Sequence, residues 1–426
     1  MAMKLNEMNR EQLSEFKNKT QAEYDEFKSR GLKLDMSRGK PCAEQLDLSM
    51  PLLNALGSDS DIRDGSGNDC RNYGILDGIA EAKQLFADIL GVKPEEVIVG
   101  GNSSLSLMYD TLMRLMVFGA PGNTPWCREE KIKFLCPAPG YDRHFAITEK
   151  LGMELVTIPM KDDGPDMDLV EKLAGEDSSV KGIWCVTMYS NPEGKTYSDE
   201  TVRRFAKMKT AAPDFRIFWD NAYCIHHLSD TPDVLLNILD ECKKNGNEDR
   251  VYMFTSTSKV SFSGAGVSAM AASVNNIADI KKTLTVQTIG YDKMNQLRHV
   301  RFFGNIDGVK EHMKKHAAIL APRFKAVLDA LDREIAPLGI GEWNKPNGGY
   351  FISFNTMNGC AKRVVELCKE AGVVLTGAGA TFPYGKDPDD RNIRIAPTYP
   401  SVDELEKAVE LFCICVKLAS AEKLLG

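Results

Sequence analysis

Thr255-Ser256-Thr257-Ser258-Lys259-Val260-Ser261-Phe262-Ser263-Gly264-Ala265-Gly266 is a hydroxyl-rich run that carries a lone lysine and continues in small residues. The apolar segment before it, Val251-Tyr252-Met253-Phe254, reads as a buried strand, so Lys259 stands at a strand exit. A lysine held among hydroxyls in a part-buried place can lose its proton near neutral pH and attack a carbonyl to make a Schiff base. The same letters also describe an ordinary lysine in a serine-rich surface loop, so the decision falls to other segments.

Upstream, Ile217-Phe218-Trp219-Asp220-Asn221-Ala222-Tyr223 is an apolar β-type run with one carboxylate at its C-terminal end. Open α/β sheets bind ligands at that end. A carboxylate there can pair with a protonated pyridine nitrogen, the partner that makes pyridoxal phosphate an electron sink. Further upstream, Ile183-Trp184-Cys185-Val186-Thr187-Met188-Tyr189-Ser190-Asn191-Pro192-Glu193-Gly194 is another strand breaking into a polar turn. Asn191 and Tyr223 each offer a donor to a phenolate oxygen. Taken singly, a strand-end Asp is also a helix cap and Asn-Pro is also a turn former.

In this order, Asn191-Pro192, Asp220-x-x-Tyr223 and Ser256-x-Ser258-Lys259 resemble the fold-type I pyridoxal-phosphate enzymes of the aspartate aminotransferase superfamily. The likeness extends from about residue 35 to about residue 420. Asn72-Tyr73-Gly74 resembles the element whose tyrosine reaches the neighbouring subunit's cofactor phosphate. Gly100-Gly101-Asn102-Ser103-Ser104-Leu105 resembles the phosphate-binding turn that opens a helix. Pro137-Ala138-Pro139-Gly140-Tyr141 resembles the segment bearing the ring-stacking aromatic, and Asn392-Ile393-Arg394-Ile395-Ala396 the late arginine that grips the substrate α-carboxylate. Met36-Ser37-Arg38-Gly39-Lys40-Pro41, the stretch from Pro139 to Phe145 and the stretch from Asn295 to Phe302 resemble a divergent bacterial aspartate aminotransferase branch, also labelled alanine–glyoxylate aminotransferase-like.

The resemblance implies a set of roles. Lys259 would carry pyridoxal 5′-phosphate and act as the base that moves a proton between the substrate α-carbon and the cofactor. Asp220 would keep the ring nitrogen protonated, Asn191 and Tyr223 would hydrogen-bond the ring hydroxyl oxygen, and Tyr141 would stack on the ring. Asn102, Ser103, Ser104, Ser256 and the partner subunit's Tyr73 would hold the phosphate at a helix start, where free N–H groups favour an anion. Arg394 would make a two-point contact with the α-carboxylate. Arg38 and Arg143 are the candidates for a second carboxylate, with Arg143 preferred beside Tyr141, and Gly39 would leave room for substrate. Relatives carry an arginine seven or eight residues after the lysine, whereas this chain has Gly266 and Val267 there. Either neutral donors suffice for the phosphate, or Lys40, Arg143 or Arg298 substitutes.

Bulk properties agree with such an enzyme. At 426 residues, two units are expected. Short apolar runs alternating with helical patterns imply an α/β fold, with a large, mostly parallel seven-stranded sheet and a smaller α+β unit. The expected division is 1–50 for an N-terminal helix and a segment joining the small domain, 51–330 for the large cofactor-binding domain and 331–426 for the small domain. The net charge of −7 supplies no basic surface for nucleic acid. No run of about 18 apolar residues suggests a membrane span, and the polar first 30 residues lack a secretory h-region. Eleven dispersed cysteines fit free thiols in a cytoplasmic enzyme. No metal is expected: His312 and His316 are one helical turn apart but flank Met313-Lys314-Lys315, which reads as a solvated face.

The leading expectation is a homodimeric aminotransferase for L-aspartate or L-glutamate with a 2-oxo acid acceptor (2-oxoglutarate or oxaloacetate). The alternatives are transamination of alanine or aromatic amino acids, a lyase or decarboxylase on the same cofactor, and an aminotransferase-like regulatory domain.

Overall fold

The computed structural model describes residues 3–426. Its central sheet has the strand order Val97–Val99, Ser268–Ala272, Val251–Ser256, Arg216–Asp220, Val180–Val186, Lys133–Ala138, Glu154–Lys161 and Gly164–Pro165. The five strands from Val251–Ser256 to Glu154–Lys161 run parallel, and Ser268–Ala272 is antiparallel to both its neighbours. The sheet has eight strands rather than the expected seven. The extra one is the two-residue Gly164–Pro165, because the turn at Asp162-Asp163 folds back as a hairpin against Met160 and Lys161.

Both faces of this sheet are covered, which is why its inner strands read as continuous apolar runs rather than alternating ones. Phe134, Trp184, Phe218, Tyr252 and Phe254 fill one face. Leu135, Ile183, Ile217, Trp219 and Met253 fill the other. Asp220 ends its strand opposite Val186 and Phe254, so the carboxylate emerges at the C-terminal edge of the sheet.

A second core lies around the antiparallel strands Gly341–Trp343, Ile352–Thr356 and Asn392–Ile395. The helices Ala361–Glu370 and Val402–Leu425 cover it, with the C-terminal part of the long helix Ile306–Glu334. The N-terminal helix Arg10–Ser29 joins this core from the far end of the sequence. Its Asn9 cap accepts from Gln12 N–H, and Leu13, Tyr24 and Phe27 are its buried side, with Phe16 only partly covered. Tyr24 Oη–H donates to Leu367 O at 2.9 Å. Leu34–Asp35 then pairs in parallel with Val373–Val374.

The strand Ile352–Thr356 follows Gly348 and Gly349, which lie so close to Tyr189 that no side chain fits there. The stretch from 35 to 70 contains the helical turns Ala43–Asp47 and Met50–Asn54. His312 and His316 are buried rather than on a solvated face; the helix turns only Lys314 and Lys315 outward. Among the described residues, no helix is long and apolar enough to cross a membrane, and no three His, Cys, Asp or Glu side chains form a metal-binding group.

Candidate active site

Lys259 follows its strand by three residues and turns its ammonium over two aromatic rings, 4.8 Å from the Tyr223 centroid and 5.6 Å from that of Tyr350. Burial of the ammonium pushes its pKa below the ordinary lysine value, with Arg394 adding to the effect and Tyr141 and Asp220 opposing it. The residue keeps some solvent contact, while its reactive end faces a cavity of about 160 Å³. That cavity gathers Ser103, Ser104, Tyr141, Asn191, Asp220, Tyr223, Ser256 and Lys259 from five separate stretches of chain. A larger groove of about 860 Å³ lies between the helices Arg10–Ser29, Ile306–Glu334 and Val402–Leu425, but charged pairs line it and none of this chemistry reaches it.

Asp220 is buried at the cavity's deep end. Its Oδ1 accepts from Ala222 N–H at 3.1 Å, and its Oδ2 lies 3.2 Å from His144 Nε2. The two meet off-line, so the His144 nitrogen has no aligned hydrogen bond. His144 stacks on Trp184 at 4.1 Å and 8°, and Tyr141 meets it edge-on at 4.9 Å. His144 received no role from the sequence. The available signal was its position three residues after Tyr141, where the helix Asp142–Lys150 begins. Burial raises the Tyr141 phenol to about 12 although Lys259 pulls it down. Burial and then Asp220 raise the Tyr223 phenol well above its ordinary value, against Arg394.

The opposite end is built of hydroxyls and a helix start. Ser103 caps the helix Ser104–Phe118, accepting from Leu105 N–H at 3.2 Å. Ser256 Oγ–H donates to Ser258 Oγ at 3.0 Å, and Ser258 Oγ–H to Asn102 O at 3.3 Å. Ser268 fixes the same turn, donating through N–H and Oγ–H to Gly101 O at 2.7 and 2.8 Å. Asn102 and Tyr73 stand outside the cavity wall, Tyr73 at 81% exposure.

Gly266 has a steric cause: a Cβ there would lie 3.0 Å from Thr257 Oγ1 and 3.2 Å from Ser258 N. Val267 is buried. None of the substitute cations lines the cavity. Lys40 lies over the Tyr399 ring at 3.7 Å, Arg143 is exposed, and Arg298 Nη2 donates to Asn295 Oδ1 at 2.6 Å. Asn295 in turn donates to Ala265 O and Gly266 O, so Arg298 braces this turn from behind.

Arg394, on the strand Asn392–Ile395, brings the second core to the cavity. Its Nη1 donates to Asn191 Oδ1 at 3.2 Å and to Asp142 Oδ1 at 3.3 Å, and its Nη2 to Thr376 Oγ1 at 3.2 Å. The guanidinium packs over Phe351 at 4.9 Å. Gly39 does not hold open a space for substrate, as expected; a Cβ there would lie 2.2 Å from Phe351 Cζ, so the phenyl ring fills it. Arg38 is exposed and, like Arg143, stands apart from the cavity wall.

A strand-end acid and a lysine of lowered pKa facing one cavity, with a buried arginine bonded to its wall, are the equipment of a transaminase. The chain belongs to the aspartate aminotransferase family: the sequence model of the family described as aspartate amino-transferase matches residues 8–426. Members of this family are pyridoxal-phosphate-dependent. A Mycolicibacterium smegmatis relative is 48% identical over 95% of each chain. The aspartate aminotransferase of Corynebacterium glutamicum is 46% identical over 99% of this chain and 97% of its own. The crystal structure of an aspartate transaminase from Corynebacterium glutamicum superposes with a TM-score of 0.97 at 45% identity, covering all of both chains. The resemblance and the α/β fold expected from the sequence are thereby confirmed.

Proposed function

We propose that this transaminase exchanges the amino group of L-aspartate or L-glutamate with a 2-oxo acid, 2-oxoglutarate or oxaloacetate, on pyridoxal phosphate held at Lys259. The observation that carries the reading is the convergence of Lys259, Asp220 and Asn191 on one cavity, with Arg394 donating to Asn191 in its wall. Its donor set suits the cofactor: an acid at one end for a basic ring nitrogen, hydroxyls and helix N–H groups at the other for a phosphate, and an amine between them.

When bound, the cofactor supplies an electron sink for charge at the substrate α-carbon. The chain supplies the rest. Asp220, with His144 beside it, would keep a proton on the ring nitrogen. Asn191 and Tyr223 would serve the ring hydroxyl, and Tyr141 would stack on the ring. Lys259 would hold the cofactor and would serve as the base that moves a proton at the substrate α-carbon, a role its lowered pKa favours. Arg394 orients the α-carboxylate by a two-point contact. Ser103, Ser104 and Ser256 would serve the phosphate, with Asn102 and the partner subunit's Tyr73, so neutral donors would stand in for the arginine that Gly266 and Val267 replace.

Arg38 and Arg143 remain the candidates for the side-chain carboxylate, reaching it by domain closure or across a dimer. The same reading takes 51–330 as the cofactor-binding domain and 331–426, with 1–50, as the small domain. Eleven free thiols suit a cytoplasmic homodimer. The deciding experiment is an absorbance spectrum of the purified protein with L-aspartate and no oxo acid. Conversion of the visible cofactor band to the near-ultraviolet band of its amine form supports the reading. A bound cofactor that responds only to alanine or an aromatic amino acid would move the substrate assignment to those classes.

A further inference from the structure

Arg394 is only 9% exposed and has three partners, of which Asp142 alone is charged. The neutral partners are fixed in place. Asn191 is buried, and Thr376 Oγ–H is committed to Ser37 O at 2.8 Å. Asp142 differs. Its side chain is 35% exposed, against 10% for the arginine it pairs with. It is the first residue of the helix Asp142–Lys150, so its side chain can swing outward while its charge still favours the helix start. A buried guanidinium without a counter-charge is costly, so something anionic has to face Arg394 when no substrate is bound.

We propose that Asp142 is the resident counter-ion of Arg394 and that a substrate carboxylate binds by displacing it. This rests on the reading that Arg394 receives the α-carboxylate. One carboxylate replaces another, so the charge at the guanidinium is the same before and after, and the site stays paired throughout. The exchange weakens affinity, because every ligand competes with a tethered anion. It also selects for anions: an amino acid amide or a simple amine has nothing with which to replace Asp142. Asp142 is therefore a positioning and specificity residue, acting through Arg394 rather than on the reacting atoms.

The test compares holoenzyme variants by calorimetric titration with succinate, a dicarboxylate that cannot be transaminated. Asp142→Asn keeps the shape, the helix start and an oxygen that can accept from Arg394, but removes the competing charge. It is expected to bind succinate about two- to fivefold more tightly. KM for L-aspartate and 2-oxoglutarate should fall by a similar factor with kcat unchanged, and Asp142→Glu should restore ordinary affinity. Should the Asn variant melt early, Asp142→Ser, which also suits a helix start, takes its place. Unchanged or weaker succinate binding in a folded neutral variant overturns the proposal. Arg394→Gln separates the two ideas. If it abolishes succinate binding while Asp142→Asn changes nothing, only the counter-ion proposal falls; if it leaves binding intact, the role of Arg394 itself falls.

Discussion

His144 Nε2 lies 3.2 Å from Asp220 Oδ2, sandwiched by the Trp184 face behind it and the Tyr141 edge in front. The pair places a ring nitrogen against the carboxylate that ends the central strand. It links the element carrying Tyr141 to the strand-end acid of the cavity.

Replacing His144 by Phe keeps a ring on Trp184 but removes that nitrogen. We expect kcat to fall about tenfold, the equivalent of roughly 1.4 kcal/mol for one lost polar contact to a charged group. Steady-state kinetics beside a thermal melt checks this: an unchanged melting temperature with unchanged kcat would remove His144 from the machinery.

Gly39→Ala drives a methyl into Phe351, on whose ring Arg394 packs. Overpacking of this kind costs about 1–3 kcal/mol. The expected result is a lower melting temperature together with a raised KM for both substrates, since the shifted ring carries the guanidinium with it. A loss of stability with KM untouched would separate Phe351 from carboxylate binding.

Buried histidines make the protein sensitive to mild acid. Burial holds the His299 imidazole down to about 4 and that of His316 to about 3. In the unfolded chain each takes a proton near pH 6.5, so between that pH and the folded value the unfolded state binds more protons and stability falls as pH falls. The slope is about 1.4 kcal/mol per pH unit for each group. Urea midpoints at pH 7.0 and pH 5.0 measure the loss, and His299→Gln should flatten it by its own share.

If Tyr73 acts across a dimer, two crippled chains can repair each other. Tyr73→Ala and Lys259→Ala, each nearly inactive alone, should regain up to a quarter of ordinary activity per site when unfolded and refolded together, as random pairing leaves one intact site in half of the dimers. No recovery in proven mixed dimers would confine Tyr73 to its own subunit.

The parallel sheet and the order Asn191, Asp220, Lys259 were legible because buried parallel strands read as unbroken apolar runs and their polar exits stand out. The eighth strand was not, since two residues carry no periodicity. His312 and His316 misled because Lys314 and Lys315 do face solvent, on the other side of the same helix. Gly39 was seen but misassigned, as a glycine announces a close approach without naming the atom that approaches. Asp142 and Thr376 meet Arg394 only through the fold, with 252 residues of chain between Asp142 and the arginine.

The tie between Tyr24 and Leu367 spans 343 residues. During synthesis at about 5–20 residues per second, the first helix therefore leaves the ribosome roughly 20 to 70 s before its docking surface exists. Through that interval Tyr24 and Phe27 have nothing of their own core to cover them, while the central sheet assembles in between. Arg394, on a strand of that second core, is thus seated beside the cavity only late in synthesis, so a chain truncated near its end should retain a formed sheet and lack a seated Arg394.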